Sequence, residues 1–162
     1  MTGESKVELN ITSNAKSLPV VRGAVERMAT MEGFGDEDAH RLILAIDEAL
    51  ANVIKHGYEG QPDKPITVAL STVKAEDGRP GIMVEVRDKG RQVDPETIQG
   101  RSLDDIRPGG LGVHIIQSVM DEYRYSCPPE GGMLLVMAKY VSEADDGSSK
   151  QDVTETQKEQ GT

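Results

Sequence analysis

The chain is nearly empty of the residues on which several common functions depend. Its 162 residues include one cysteine, no tryptophan, one phenylalanine and four tyrosines. A lone Cys127 cannot form an intrachain disulfide, and no basic neighbourhood is in sight to activate it as a catalytic thiol. It is expected to be a small buried hydrophobe. With 3% aromatic residues, platforms for stacking nucleic-acid bases are not expected. Positive charge is also short. Eighteen Lys and Arg stand against 28 Asp and Glu, a formal net charge of -10, which argues against nucleic acid or an anionic membrane as a partner. No apolar run approaches the ~18 residues of a membrane span, and Met1 opens no signal-peptide pattern, so the chain reads as cytoplasmic. His40, His56 and His114 lie in separate segments without ligand spacing, which speaks against a histidine-built metal site.

What is present is an ordered alternation of periods. Lys6–Thr12 alternates Val7, Leu9 and Ile11 with polar residues, as a half-buried strand does. Leu18–Met31 carries apolar residues at helical spacing with Pro19 in its first turn. Phe34-Gly35 breaks that helix. Asp36 is expected to cap a second one running to about His56, with Gly57 ending it in the left-handed position. Ile66–Val73 and Ile82–Arg87 form a hairpin around Glu76-Asp77-Gly78. Asp88 to Pro108 is a long Gly/Pro/Asp-rich connection, the length of a lid or binding loop. A helix over Leu111–Met120 follows, then a hairpin of Tyr123–Ser126 and Met133–Val141. Residues 1–141 thus read as one domain. Residues 142–162, rich in Ser, Asp, Glu, Gln and Lys, read as a disordered acidic tail. Strands joined in hairpins with the helices grouped indicate an α+β two-layer sandwich: helices on one face of a mixed, mainly antiparallel sheet.

Three segments could build one site. Glu48 and Asn52 stand four residues apart and stack along one side of a helix whose other positions are mostly apolar. A buried carboxylate needs a partner, and an acid beside an amide suits a hydrated divalent cation and a neighbouring hydroxyl. A stripe facing solvent is the plainer reading. Asp88-Lys89-Gly90 leaves an apolar strand, where an Asp can accept a hydrogen bond from an exocyclic amine and a Gly admits a flat ligand. An ordinary turn would look the same. Gly109-Gly110-Leu111-Gly112 opens an apolar helix whose free N–H groups and dipole favour an anion. A dinucleotide-binding motif would need a strand directly before those glycines, and a loop stands there instead.

In this order and spacing the segments resemble the GHKL (Bergerat-fold) ATPases, and more narrowly the stand-alone anti-sigma-factor serine/threonine kinases of bacteria. Asp47-Glu48-Ala-Leu-Ala-Asn52-Val-Ile-Lys-His56-Gly57-Tyr58 looks like the family's N box. Val86-Arg-Asp88-Lys-Gly90 looks like its first glycine box, Gly109–Ile116 its second, and Gly131-Gly-Met133 its last strand motif. The resemblance implies a histidine-kinase-like ATPase fold with ATP and Mg²⁺ as cofactors. Asn52 would hold the metal, Glu48 would act as catalytic base, and Asp88 and Gly90 would receive the adenine. Arg107, Gly110, Leu111 and Gly112 would meet the phosphates. It further implies a STAS-type anti-sigma-factor antagonist as substrate, a sigma factor as sequestered partner, and a homodimer. Two departures stand out. Met133 occupies the usual place of a Thr, and Pro108 displaces Arg107 by one residue from its usual place before the glycines. These leave open a second reading, a nucleotide-binding regulatory module that transfers no phosphate.

Overall fold

A computed structural model of the chain describes residues 4–98 and 111–143. Its elements are β1 (Lys6–Thr12), α1 (Leu18–Glu32), α2 (Asp36–Asn52), β2 (Pro65–Lys74), β3 (Pro80–Asp88), α3 (Leu111–Val119), β4 (Glu122–Ser126) and β5 (Leu134–Tyr140). Short 3-10 turns lie at Ala15–Ser17 and Pro95–Thr97, and a π-helical turn at Val53–Gly57 continues α2. The strands form one sheet in the order β1-β2-β3-β5-β4. Every pairing among the described residues is antiparallel rather than mixed: β3 and β4 run in the same sense, but β5 returns between them and is antiparallel to both.

The period-two pattern fixes which face is buried. Ile66, Val68 and Leu70 of β2 and Ile82, Val84 and Val86 of β3 are each at most 2% exposed. Val68 lies opposite Val86 and Leu70 opposite Val84, while Leu135 and Met137 of β5 continue the row. These side chains meet Val21 and Val25 of α1, Leu42, Ile46 and Leu50 of α2 and Ile116 of α3 in one core. Full burial of one such side chain stabilises the fold by about 1.5–3 kcal/mol. A one-residue slip of either strand would turn the whole row to solvent.

Local chemistry sets the helix ends. α1 carries Pro19 in its first turn, where the missing N–H costs nothing. It stops at Gly33, in the left-handed region at φ 87°, and Phe34 N–H then returns to Ala29 O at 3.0 Å. α2 differs from the sequence reading at both ends. Gly35, in extended backbone, is its N-cap, and Asp36 makes no cap bond but joins Glu37 and Asp38 in the first turn, where the helix dipole favours negative charge. The α-helix closes at Asn52, and the backbone widens into the π turn before Tyr58. Gly57 is not left-handed; the positive φ falls at Glu59 (51°) and Gly60 (79°). α3 is fastened from the sheet: Lys139, 8% exposed on the inner face of β5, donates through Nζ to Val119 O at 3.0 Å. An ammonium at that negative helix end is favourably placed.

Candidate nucleotide site

The site gathers where α2, β3 and the β4–β5 turn end. On α2, adjacent carboxylates have different fates. Asp47 accepts Arg22 Nε at 2.8 Å on each oxygen, joining α2 to α1. Glu48, a residue further on, makes no hydrogen bond or ion pair among the described residues, and neither does the side chain of Asn52 one turn away. Both are half-buried rather than enclosed. α2 is less uniformly buried than its composition suggests, since Leu44 is 46% exposed and only Leu42, Ala45, Ile46, Ala49 and Leu50 are buried. The stripe therefore needs no buried counter-ion. Among the described residues it is an acid and an amide side by side, neither of them engaged.

Asp88 is different. It ends β3 at 3% exposure, one of the few buried charged groups. Its Oδ1 accepts the N–H of Gly90 at 2.8 Å and of Met133 at 3.3 Å. Burial pushes its carboxyl above the usual carboxylate range, and those two N–H groups partly offset the rise. Oδ2 accepts nothing among the described residues. It is the one free lone-pair edge of an otherwise satisfied group, and so the natural acceptor for an amine of a ligand.

Two glycines make this packing possible. A Cβ on Gly90 would lie 2.4 Å from Gly57 O, and one on Gly132, at φ 73°, would lie 1.9 Å from Asp88 O. The end of α2, the turn after β3 and the turn before β5 therefore touch backbone to backbone. The start of the long connection is tied to the same place. Arg91 N–H donates to Gly57 O at 3.0 Å, Gln92 Nε2 to Pro128 O at 2.9 Å, and Val93 N–H to Met133 Sδ at 3.4 Å. Met133, in the place expected for a Thr, thus offers its backbone to Asp88 and its sulfur to the root of the connection. Cys127, expected to be buried, is exposed; its thiol donates to Val93 O at 3.4 Å and lies 3.5 Å from Met133 Sδ. The reason is its position just past β4, at the rim of the sheet.

Of the sequence-derived site residues, Asp88 and Gly90 are brought against the end of the helix that carries Glu48 and Asn52. Leu111 and Gly112 open α3, which packs along α2. Arg107 and Gly110 lie outside the described residues, as does nearly all of the 142–162 segment. Three contributors were not singled out from sequence: the Gly57 carbonyl, the Met133 N–H and the Tyr58 hydroxyl. Only Tyr58 left a signal, as a tyrosine directly after a helix end, where a buried O–H must find a partner.

An antiparallel sheet beneath helices, with a buried acid leaving a central strand beside an acid–amide helix end, defines a GHKL-type nucleotide-binding domain. The chain belongs to the histidine kinase-like ATPase domain family, whose model matches residues 11–139. It is similar to the serine-protein kinase RsbW of Listeria innocua, 28% identical over 150 residues, covering 88% of this chain and 91% of that one. The serine-protein kinase RsbW of Staphylococcus aureus is 26% identical over 146 residues, covering 85% and 88%. Among solved structures, the SiaB–SiaC complex from Pseudomonas aeruginosa matches with TM-score 0.60 at 16% identity, over 82% of this chain and 88% of that one. The RsbU and RsbW domains of a Mycobacterium tuberculosis protein match with TM-score 0.57 at 16% identity. That match covers 86% of this chain and 33% of that longer one. The structural likenesses establish the fold. The resemblance to the anti-sigma-factor kinases, drawn from the motifs, agrees with relatives named serine-protein kinases. Among the described residues no helix is long and apolar enough to cross a membrane.

Proposed function

We propose that this chain is an ATP-dependent serine/threonine protein kinase and anti-sigma factor, which phosphorylates a STAS-type anti-sigma-factor antagonist and sequesters a sigma factor. The observation that carries the reading is the contrast at the end of α2: Asp47 is engaged by Arg22, whereas among the described residues Glu48 has no partner, and neither has the Asn52 side chain beside it. A module that only binds nucleotide has no use for a free carboxylate there.

In the proposed reaction the adenine amine is held by Asp88 Oδ2, and Arg107, Gly110, Leu111 and Gly112 take the role that the family resemblance implies for them, receiving the phosphates. A Ser or Thr hydroxyl oxygen of the antagonist attacks the γ-phosphorus. The bond to the β–γ bridging oxygen breaks, ADP leaves, and the hydroxyl proton passes to Glu48. Positioning and charge neutralisation supply most of the acceleration in such transfers. Asn52 fits Mg²⁺, a hard cation that takes few protein ligands and prefers oxygen, because its amide oxygen is accessible and unengaged. When bound, the metal would neutralise phosphate charge. The protein is taken to act in the cytoplasm as a homodimer.

Met133 favours a second reading, that of a regulatory module which binds nucleotide without transferring phosphate. A thioether cannot donate a hydrogen bond to a base nitrogen as a Thr hydroxyl can, and its sulfur is already occupied by Val93. Incubation with γ-labelled ATP, Mg²⁺ and the antagonist encoded beside this gene separates the two. Label on an antagonist Ser or Thr is the expected result. Binding of ATP without any transfer would leave only the non-catalytic module.

A further inference from the structure

The register of β2 and β3 pairs Thr67 with Arg87 and Ile66 with Asp88, so one rung further out Pro65 faces Lys89. That rung does not close directly. The Tyr58 hydroxyl stands in it, donating to Pro65 O at 2.5 Å and accepting Lys89 N–H at 2.7 Å. Both hydrogen-bonding capacities of the phenol are used, and its ring is 7% exposed. Tyr58 is itself fixed by its N–H to Val53 O at 2.9 Å, closing the π turn, and the Gly57 carbonyl before it receives Arg91 N–H. Two successive residues thus grip the segment after Asp88 at two points, the Tyr58 hydroxyl at Lys89 and the Gly57 carbonyl at Arg91. Extra-wide helical turns of this kind recur at functional sites.

We infer that Tyr58 is the positioning residue for Asp88: its hydroxyl wedges open the last rung of the β2–β3 ladder, so that Asp88-Lys89-Gly90 leaves the sheet with Asp88 Oδ2 turned toward the exocyclic amine of a purine. The inference rests on the reading that Asp88 accepts that amine. It adds that base specificity is set by the residue that closes the π turn following α2, one that touches no ligand. Asp88 Oδ1 is held by Gly90 N–H, and Gly90 can hold its place only if the peptide between them, whose N–H is the one bonded to Tyr58, is fixed.

The test compares ATP with purine riboside 5′-triphosphate, the same ligand without the 6-amino group, by calorimetric titration of the full chain. Wild type is expected to prefer ATP about tenfold, the worth of one well-made hydrogen bond at ~1.4 kcal/mol per decade. Tyr58→Phe keeps the ring and removes both hydrogen bonds. ATP binding should weaken about tenfold while the deaminated analogue changes less than about twofold, so the preference collapses. Equal weakening of both ligands means a merely structural role and overturns the inference, as does a preference that survives. Wild type showing no preference between the ligands would instead overturn the reading of Asp88 on which this stands. Should Tyr58→Phe fail to fold by circular dichroism, Lys89→Pro deletes the same N–H from the opposite side. The preference should again collapse, and its survival again refutes.

Discussion

Replacing Asp88 by Asn separates recognition from folding more cleanly than any other change in this protein. Asn retains Oδ1 for the N–H groups of Gly90 and Met133, at 2.8 and 3.3 Å, so the turn keeps its internal bonds. It turns the free edge from acceptor into donor, facing a donor amine. A hydrogen bond to a charged group contributes about 1.5–3 kcal/mol, so ATP should bind roughly 10- to 100-fold more weakly. Stability should move the other way. Burial raises the Asp88 carboxyl above its unfolded value, so its favourable contribution exists below the unfolded pKa and is lost as pH rises through the folded one. At neutral pH the ionised group is therefore a net cost to the fold, and Asp88→Asn should melt no lower than wild type. The same shift predicts a pH dependence. Wild-type ATP affinity should fall as pH descends through a point above the ordinary carboxylate range, because protonation removes the charged acceptor, while Asp88→Asn should be flat there. Calorimetric titration with a thermal melt at each pH decides it. A folded Asp88→Asn that binds ATP as tightly as wild type refutes the assignment.

Glu48→Gln should leave ATP affinity within about twofold while lowering phosphate transfer by roughly 10²–10⁴, the usual range for a lost general base, measured in single-turnover assays with labelled ATP. Undiminished transfer would remove Glu48 as the base. Gly132→Ala forces a Cβ to within 1.9 Å of Asp88 O at φ 73°, and overpacking with left-handed strain should cost at least about 2 kcal/mol in chemical denaturation. A stability change under half a kilocalorie would mean that the turn yields easily. Asp47→Asn breaks a pair whose side chains are 25% and 44% exposed, so denaturation should show a loss of no more than about 1 kcal/mol, shrinking with salt. A larger, salt-independent loss would contradict a solvent-screened pair.

The fold was legible wherever a period ran without interruption. β1 and the β2–β3 hairpin follow from alternation, and Gly78, at φ 87°, closes that hairpin within the expected turn. Helix ends were less legible. Asp36 has a capping side chain, but Gly35 was free to adopt the extended cap conformation, and the helix began one residue earlier than a cap at Asp36 requires. The close of α2 was hidden too, since a π turn differs from an α turn by one backbone register and leaves no compositional mark. Cys127 was misjudged because general burial preference says nothing about a residue one step beyond an edge strand. In the site, residue types pointed to Glu48, Asn52, Asp88 and Gly90 as candidates. They could not say that Asp47 would be taken by Arg22, 25 residues earlier in the chain, and Glu48 left free.

The sequence alone determined the layered architecture and the ATPase family, because hydrophobic period and motif order are one-dimensional properties that survive without contacts. Tertiary structure decided how each polar group is used: which carboxylate is free, which oxygen of Asp88 is spent, and where the Tyr58 hydroxyl goes. Those outcomes depend on backbone N–H and C=O groups brought together from segments tens of residues apart. Every residue but proline carries both groups, so no pattern of side chains can announce which of them will meet.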